Sequence, residues 1–415
     1  MTRHDTAAKI KRWLCAPFNG RLPEMLRQKW FRSRPVCAFH RWRVARFHPV
    51  DSKKVVFSCT TRNCTCNPKY LARELARRRP DLDLVWLLDD ASYRALHGRP
   101  DTGRAVRLWS WAAYREFASA KVMVENAYQF AARGYPAKRP GQRILNTWHG
   151  SLGIKRLDTS FNAKTGRGRK NAEIIDAILS NSDFEDDVFA GSPLACVPRV
   201  RTGHPRNDIF FLAPSEQAEL RSRVRGALGV AEGVRLALFA PTFRDEAFAD
   251  GTCAYDFAAW QAALEARFGG SWIVALRLHP LDARAVAEGL VKMPVGVLNV
   301  TGYEDIQELL VAVDAGITDY SSWIYDYLLG GKPGFLFAPD KAEYDRGHGF
   351  YYPLETTPFP VAETNAALCE AIRAFDADRF ATDRERFLAE KGCIEDGRSS
   401  ARAADLVERW LKEGV

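Results

Sequence analysis

Two histidines stand where short apolar stretches give way to polar turns. His149 follows the run Ile144 to Trp148 and precedes Gly150; His279 follows Trp272 to Leu278 and precedes Pro280. A neutral imidazole can accept a proton near pH 7, so either could be a general base, and a glycine at such a place permits close approach of substrate to backbone. A histidine that merely holds structure is the competing reading of each. Around them lie groups suited to an anion. Thr242 and Arg244 follow the run Leu236 to Ala240, Arg277 lies two residues before His279, and Asp319-Tyr320-Ser321-Ser322 joins the run Ala315 to Thr318 to an aromatic-rich helix. A guanidinium matches phosphate oxygens in a bidentate way, and a strand feeding a Ser-Ser helix start offers backbone N–H groups, two hydroxyls and the positive end of a helix dipole. The same turn also reads as an ordinary N-cap, and Arg277 as a side chain too deep in its strand to reach a ligand. Asp319 reads as an orienter rather than a metal ligand. No suggestive carboxylate pair accompanies it, and helix termini with arginines can take a metal's place, so the expected chemistry uses no metal and no cofactor.

The elements that must position these groups are short strands alternating with helical patterns. Strands are expected at Val55 to Cys59, Leu84 to Leu88, Ala105 to Leu108, Val122 to Glu125, Ile144 to Trp148, Ile178 to Ser180 and Arg199 to Thr202. After a helix at Ser215 to Leu228 the alternation restarts with Leu236 to Ala240, Trp272 to Leu278, Val297 to Val300, Ala315 to Thr318 and Phe335 to Phe337. This pattern predicts an α/β protein of two doubly wound parallel-sheet lobes, each sheet covered on both faces, with a C-terminal helical region. The expected divisions are residues 1–50 (a basic arm), 51–208, 209–385 and 386–415. Ligands in such sheets bind beyond the C-terminal strand ends, where His149, Thr242, His279 and the Asp319 turn all fall, so a cleft lined from both lobes is expected. Arg206-Asn207-Asp208 reads mainly as a hinge and turn, with Arg206 a secondary phosphate candidate. Ser399 or Ser400 is expected to cap a last helix that carries Ala403, Leu406, Val407 and Trp410 on one face.

With 47% hydrophobic and 27% charged residues, a chain of 415 suits two globular domains. The net charge of +9 is unevenly placed: residues 1–50 hold 12 Lys/Arg against 2 Asp/Glu, leaving the rest close to neutral. Trp13, Leu14, Phe18, Leu22, Met25, Leu26, Trp30, Phe31, Phe39, Trp42 and Phe47 interleave with those cations, which suits docking on an anionic membrane surface. A solvated helix packed on the body and a nucleic-acid arm are the alternatives; the second lacks any nucleic-acid-binding motif behind it. No apolar run reaches the roughly 18 residues that span a bilayer, and the N-terminus lacks a signal-peptide core, so a cytoplasmic protein is expected. Among nine cysteines, Cys59, Cys64 and Cys66 lack a fourth ligand for zinc and read as free thiols. The basic, glycine-rich stretch Lys164 to Lys170 lacks the ending of a Walker loop and reads as a solvated loop that could guide a polyanion.

The wording of several segments adds to this. ITDYSS, Asp326, Gly331-Lys332-Pro333, Asp340, Tyr344 and Gly349-Phe350-Tyr351, with NTWHGSLGIKRL (146–157), TGHPRNDIF (202–210), APTFRD (240–245), LRLHP (276–280) and DGRSS (396–400), resembles in content and order the CDP-glycerol glycerophosphotransferase family, which builds teichoic acids and related capsule polymers. The resemblance covers roughly residues 55–410. It implies a GT-B fold with the acceptor lobe first and the CDP-donor lobe second. It also implies transfer of glycerol phosphate, or a related polyol phosphate, from its CDP carrier to a hydroxyl of a lipid-linked or polymeric acceptor, with CMP released. His149 and His279 match the family's catalytic pair, His149 as base and His279 on the transferred phosphate, or the reverse. Arg244, Arg277, Thr242, Ser321 and Ser322 would then hold phosphate oxygens, and the protein would work peripherally on the inner face of the cell membrane. Two other readings stand beside it: a GT-B glycosyltransferase using a nucleotide sugar, and an inactive binding or scaffolding protein with this fold. Many family members carry long additional regions, whereas this chain is little more than the catalytic core.

Overall fold

Val55-Val56-Phe57, Val85-Trp86-Leu87 and Val122-Met123-Val124 are runs without polar alternation, as strands buried on both faces require. In the computed structural model, which describes residues 24–31, 33–96, 100–127, 130, 138–153, 156–157, 171–242, 255–278 and 293–414, these runs lie at the centre of the first of two sheets. The first sheet has seven strands: β1 Asp51–Ser58, β2 Asp83–Leu88, β3 Arg104–Arg107, β4 Ala120–Glu125, β5 Arg143–Asn146, β6 Ala177–Ser180 and β7 Arg199–Arg201. Their order is β3-β2-β1-β4-β5-β6-β7, with every pair parallel. The second has six: β8 Arg235–Phe239, β9 Trp272–Leu276, β10 Val297–Asn299, β11 Ala315–Thr318, β12 Gly334–Phe337 and β13 Val361–Ala362, ordered β10-β9-β8-β11-β12-β13 and again wholly parallel. The two doubly wound lobes expected from the alternation are therefore present.

Each order reverses beside the lobe's first strand, between β1 and β4 in one sheet and between β8 and β11 in the other. Chains leaving adjacent strands in opposite directions open a crevice at that point, where ligands of such sheets bind. Thr60 and Asn126 follow β1 and β4; Thr242 and Asp319 follow β8 and β11.

The last helix, Ser399–Lys412, lies on the first sheet, where Ala403, Leu406, Val407 and Trp410 join a core with Val55, Leu71 and Leu145. Its cap differs from the expectation. The backbone N–H groups of Ser399 and Ser400 donate to the Asp208 carboxylate at 2.9 and 2.7 Å, while the Ser399 hydroxyl turns to Glu395 and the Ser400 hydroxyl to the Pro205 carbonyl. A carboxylate suits the positive helix end better than a hydroxyl does, and this one arrives from the hinge, far away in sequence.

Part of the basic arm is integral to the first lobe. In the helix Glu24–Phe31, Phe31 packs edge-on to Trp111 at 5.2 Å, its carbonyl accepts the Tyr114 hydroxyl at 2.6 Å, and Arg27 pairs with Asp90. Val36, in the helix Arg34–Phe47, is buried in the same core. Along the same helix Trp42 and Phe47 are 63% and 60% exposed, with Phe39, Arg43 and Arg46 also at the surface. Residues 1–23 lie outside the described residues, and among those described no helix is long and apolar enough to cross a membrane.

Candidate active site between the lobes

A cleft of about 520 Å³ opens between the two sheets' carboxyl ends. Trp148, His149, Gly150, Ser151, Glu185 and Phe189 line it from the first lobe, and Pro241, Thr242, Ser321, Ser322, Tyr344, His348 and Tyr351 from the second. His149 owes its place to a tightly fixed turn after β5. Trp148 adopts φ +57°, a left-handed conformation that costs a bulky residue about 1–3 kcal/mol and persists only where its surroundings enforce it. Here the Asn146 side chain accepts the Trp148 N–H at 2.8 Å, and the Asn67 amide donates to the Thr147 and Trp148 carbonyls at 2.7 and 3.1 Å. Gly150 completes the turn: a Cβ there would lie 2.5 Å from Trp148 Nε1.

His149 Nδ1 is 2.6 Å from the backbone carbonyl of Asn126. A carbonyl can only accept, so Nδ1 carries the proton and Nε2 is left as the proton-accepting nitrogen. Asn126 is held in turn by Thr60, whose N–H and hydroxyl donate to its side-chain oxygen at 2.8 and 2.9 Å. His149 is exposed to the cleft, yet it sits deep between the lobes with protein on all sides of the opening. That burial, reinforced by the nearby Arg206 and His204 and only partly opposed by the Asn126 hydrogen bond, holds its pKa below the ordinary value. The ring is therefore neutral at pH 7, the state that a base needs.

Across the cleft, Asp319 organises the second lobe's wall. Its carboxylate accepts the Thr242 N–H at 2.8 Å, the Thr242 hydroxyl at 2.7 Å and the Tyr320 N–H at 2.5 Å, which ties the ends of β8 and β11 together. This is orienting geometry, with both oxygens occupied by the protein. Ser321 and Ser322 face the cleft, and the Ser322 hydroxyl does not cap the helix Trp323–Leu328 that it opens. The lobes touch here: a Cβ on Gly153 would come 3.3 Å from that of Ser322. Beside the serines, Tyr320, Tyr344 and His348 form a ladder of near-parallel rings with centroids 3.9 and 4.4 Å apart.

Two of the arginines singled out from the sequence serve other contacts. Arg206 is buried beneath the cleft, where its Nε donates to Asp326 at 2.9 Å, Nη1 to Cys66 Sγ at 3.3 Å and Nη2 to the Gly150 carbonyl. Burial opposes its charge, but Asp326 outweighs that and the guanidinium stays cationic. It joins the lobes and backs the His149 turn. Arg277 donates to the backbone carbonyls of Val300, Tyr303 and Glu304, away from the cleft lining, and burial lowers its pKa to about 10. His279, Arg244 and the stretch Lys164 to Lys170 lie outside the described residues.

Sequence reasoning passed over three contributors. Asn126 acts through its main chain, which leaves no residue-type signal. Glu185 looks like any acidic residue in a first helical turn, yet it lines the cleft. Asn67 is hidden in a helix start.

The model of the family CDP-glycerol:poly(glycerophosphate) glycerophosphotransferase matches residues 40–409. The chain is 25% identical over 389 residues to the teichoic acid poly(glycerol phosphate) polymerase of Staphylococcus epidermidis (88% of this chain, 52% of the relative) and 28% identical over 380 residues to that of Bacillus subtilis (86% and 49%). It thus spans about half the length of these polymerases. Over 384 residues it is 26% identical to the teichoic acid ribitol-phosphate primase of Bacillus spizizenii, covering 88% of this chain and 94% of that protein. In fold it is similar to the solved wall teichoic acid polymerase TagF, with TM-score 0.76, 22% identity and coverage of 94% and 97%. It is more distantly similar to a UDP-GlcNAc 2-epimerase from Neisseria meningitidis, with TM-score 0.52, 10% identity and coverage of 87% and 100%.

Proposed function

We propose, from the premise that this chain belongs to the CDP-glycerol:poly(glycerophosphate) glycerophosphotransferase family, that it transfers glycerol phosphate or ribitol phosphate from a CDP carrier to a hydroxyl of a teichoic-acid-type or related capsular acceptor. The observation that carries the reading is the tautomer of His149, which puts a neutral, proton-accepting Nε2 on one wall of the cleft and hydroxyl donors on the other. His149 takes the proton from the acceptor hydroxyl as its oxygen attacks the phosphorus bearing the polyol. The bond from that phosphorus to the bridging oxygen breaks, and CMP leaves with the electron pair. Ser321 and Ser322 donate to the phosphate oxygens, while Thr242, whose N–H and hydroxyl both donate to Asp319, ties the turn beside them in place. His279, by its place after β9, is assigned to the transferred phosphate, and Arg244 to the pyrophosphate.

The test is CMP release from CDP-glycerol and CDP-ribitol, compared with nucleoside diphosphate release from a panel of nucleotide sugars, each with hydroxyl acceptors. Release from a CDP-polyol alone is the expected result. Turnover of a nucleotide sugar alone would make the protein a glycosyltransferase, and no turnover of any donor would favour a binding role.

The acceptor's lipid end calls for a membrane surface, and Phe39, Trp42 and Phe47, set among Arg43 and Arg46, are the outward residues suited to meet an anionic one. Replacing all three aromatics with serine should abolish sedimentation with anionic liposomes while CMP release to a soluble acceptor persists. Deleting the whole arm is a poorer test, since it would uncover the core around Phe31 and Val36. Undiminished sedimentation of the triple variant would place the docking surface elsewhere.

A further inference from the structure

Glu185 sits in the first turn of the helix Asp183–Ala190, is 1% exposed and lines the cleft together with His149. Its Oε2 is fully engaged: it accepts the Asn181 N–H at 2.9 Å and lies 3.1 Å from His204 Nε2. Its Oε1 is buried and has no hydrogen-bond partner among the described residues. Helix capping accounts for only one of the two oxygens: the Ser182 hydroxyl receives the Glu185 N–H at 3.1 Å and Oε2 turns back to the Asn181 N–H, which leaves Oε1 without a capping role. Nor is the carboxylate loosely held. His204 is itself fixed by Glu395, which accepts the His204 N–H at 3.0 Å and the side-chain amides of Asn181 and Asn207 at 3.1 and 2.9 Å. A buried framework from β6, the hinge and the C-terminal crossing thus orients the carboxylate of a residue that lines the cleft and leaves one of its oxygens without a donor among the described residues.

An unmatched buried acceptor is unfavourable until a donor arrives, and the missing partner must be a donor, because a carboxylate oxygen can only accept. A polyol carries hydroxyls on neighbouring carbons. While one is deprotonated by His149, another is within a few bonds and can donate to Glu185. A terminal phosphate monoester, by contrast, offers only acceptor oxygens and a like charge.

Resting on the transfer reading above, we propose that Glu185 is a specificity-determining residue that reads the end of the acceptor, accepting a hydrogen bond from a polyol hydroxyl adjacent to the attacking one and refusing an end that carries phosphate. A chain with a hydroxyl at one end and phosphate at the other can then enter in one direction only.

The test is direct binding, read by calorimetry on the full chain without turnover. The probes are glycerophosphoglycerol, hydroxyl-ended on both sides, and its counterpart phosphorylated at both ends. Wild type should bind the hydroxyl-ended probe at least tenfold more tightly. Glu185→Gln should weaken that probe by about ten- to a hundredfold, the worth of a hydrogen bond to a charged group, and bring the two probes close to equal affinity, since the new amide can donate to phosphate. Its affinity for CDP-glycerol should stay within about twofold of wild type, a readout that a general loosening of the lobe would move. If Glu185→Gln fails to fold, Glu185→Asp retains the charge, withdraws the oxygen by one methylene, and should still lose affinity for the hydroxyl-ended probe alone. Equal binding of both probes by wild type, binding of neither, or an intact preference in a folded variant overturns the proposal. Failure of the transfer reading shows separately, as no CMP release by wild type.

Discussion

Replacing His149 with alanine is expected to lower turnover on CDP-glycerol by on the order of a hundredfold or more, with the melting temperature little changed. Among the described residues the ring makes one hydrogen bond, to the Asn126 carbonyl, and it is exposed to the cleft, so removing it takes away a proton acceptor and little packing. The pH profile gives a second check. Because the folded environment lowers the imidazole's pKa, the base is already neutral at pH 7 and is lost only as pH falls through a value below its ordinary one. The acid limb of kcat/KM should therefore lie below pH 6.5, the ordinary value, and vanish in the alanine variant. A near-normal rate in a folded variant, or an acid limb above that value, would remove His149 from the role of base.

Arg206→Ala is expected to be the most damaging single substitution for stability. It strands Asp326, 2% exposed and otherwise bonded only to Gln307 Nε2 at 2.8 Å among the described contacts, as a buried charge without its counter-ion. Breaking one side of a buried pair costs about 3–5 kcal/mol, and here the Gly150 carbonyl loses its donor too. Denaturant unfolding of the variant should show that loss. Turnover should fall as well, because the His149 turn rests on the same guanidinium. A variant with wild-type stability would mean that water or a shifted neighbour replaces the arginine. Arg206→Lys should rescue only partly, since an ammonium cannot reach Asp326, Cys66 and Gly150 from three separate nitrogens.

Much of the architecture was legible in the residues. Runs such as Val55-Val56-Phe57 and Phe335-Leu336-Phe337 are too short for helices and too apolar for a one-faced strand, so they had to be central parallel strands, and the polar turns that follow them had to face a common crevice. His149, Thr242, Ser321 and Ser322 do share that crevice. What escaped reading depends on partners distant in sequence. Arg206 read mainly as part of a hinge, with phosphate binding second, because nothing local reveals Asp326, 120 positions away, as its counter-ion. Docking on a membrane and packing on the body both stood open for the arm, because cations and aromatics give the same composition whether a given ring meets lipid, as proposed for Trp42, or the protein's own core, as Phe31 does. The Ser399 cap was misplaced for the same reason: a carboxylate from the hinge outcompetes the local hydroxyl.

The helix Ser399–Lys412 completes the core of the lobe that begins with β1. During synthesis, the apolar face formed by Val55, Leu71 and Leu145 lacks the cover of that helix until residues 399–412 have been made. At about 5–20 residues per second, the interval between completing β7 and releasing that helix is roughly 10–40 s. The second lobe needs no such wait, because β8 to β13 emerge consecutively. The later-made lobe is thus able to close first, and the earlier-made one stays exposed to holding chaperones until the helix Ser399–Lys412 emerges. Ribosome stalling or premature termination shortly before residue 399 should consequently yield a chain whose second lobe resists protease and whose first lobe is digested.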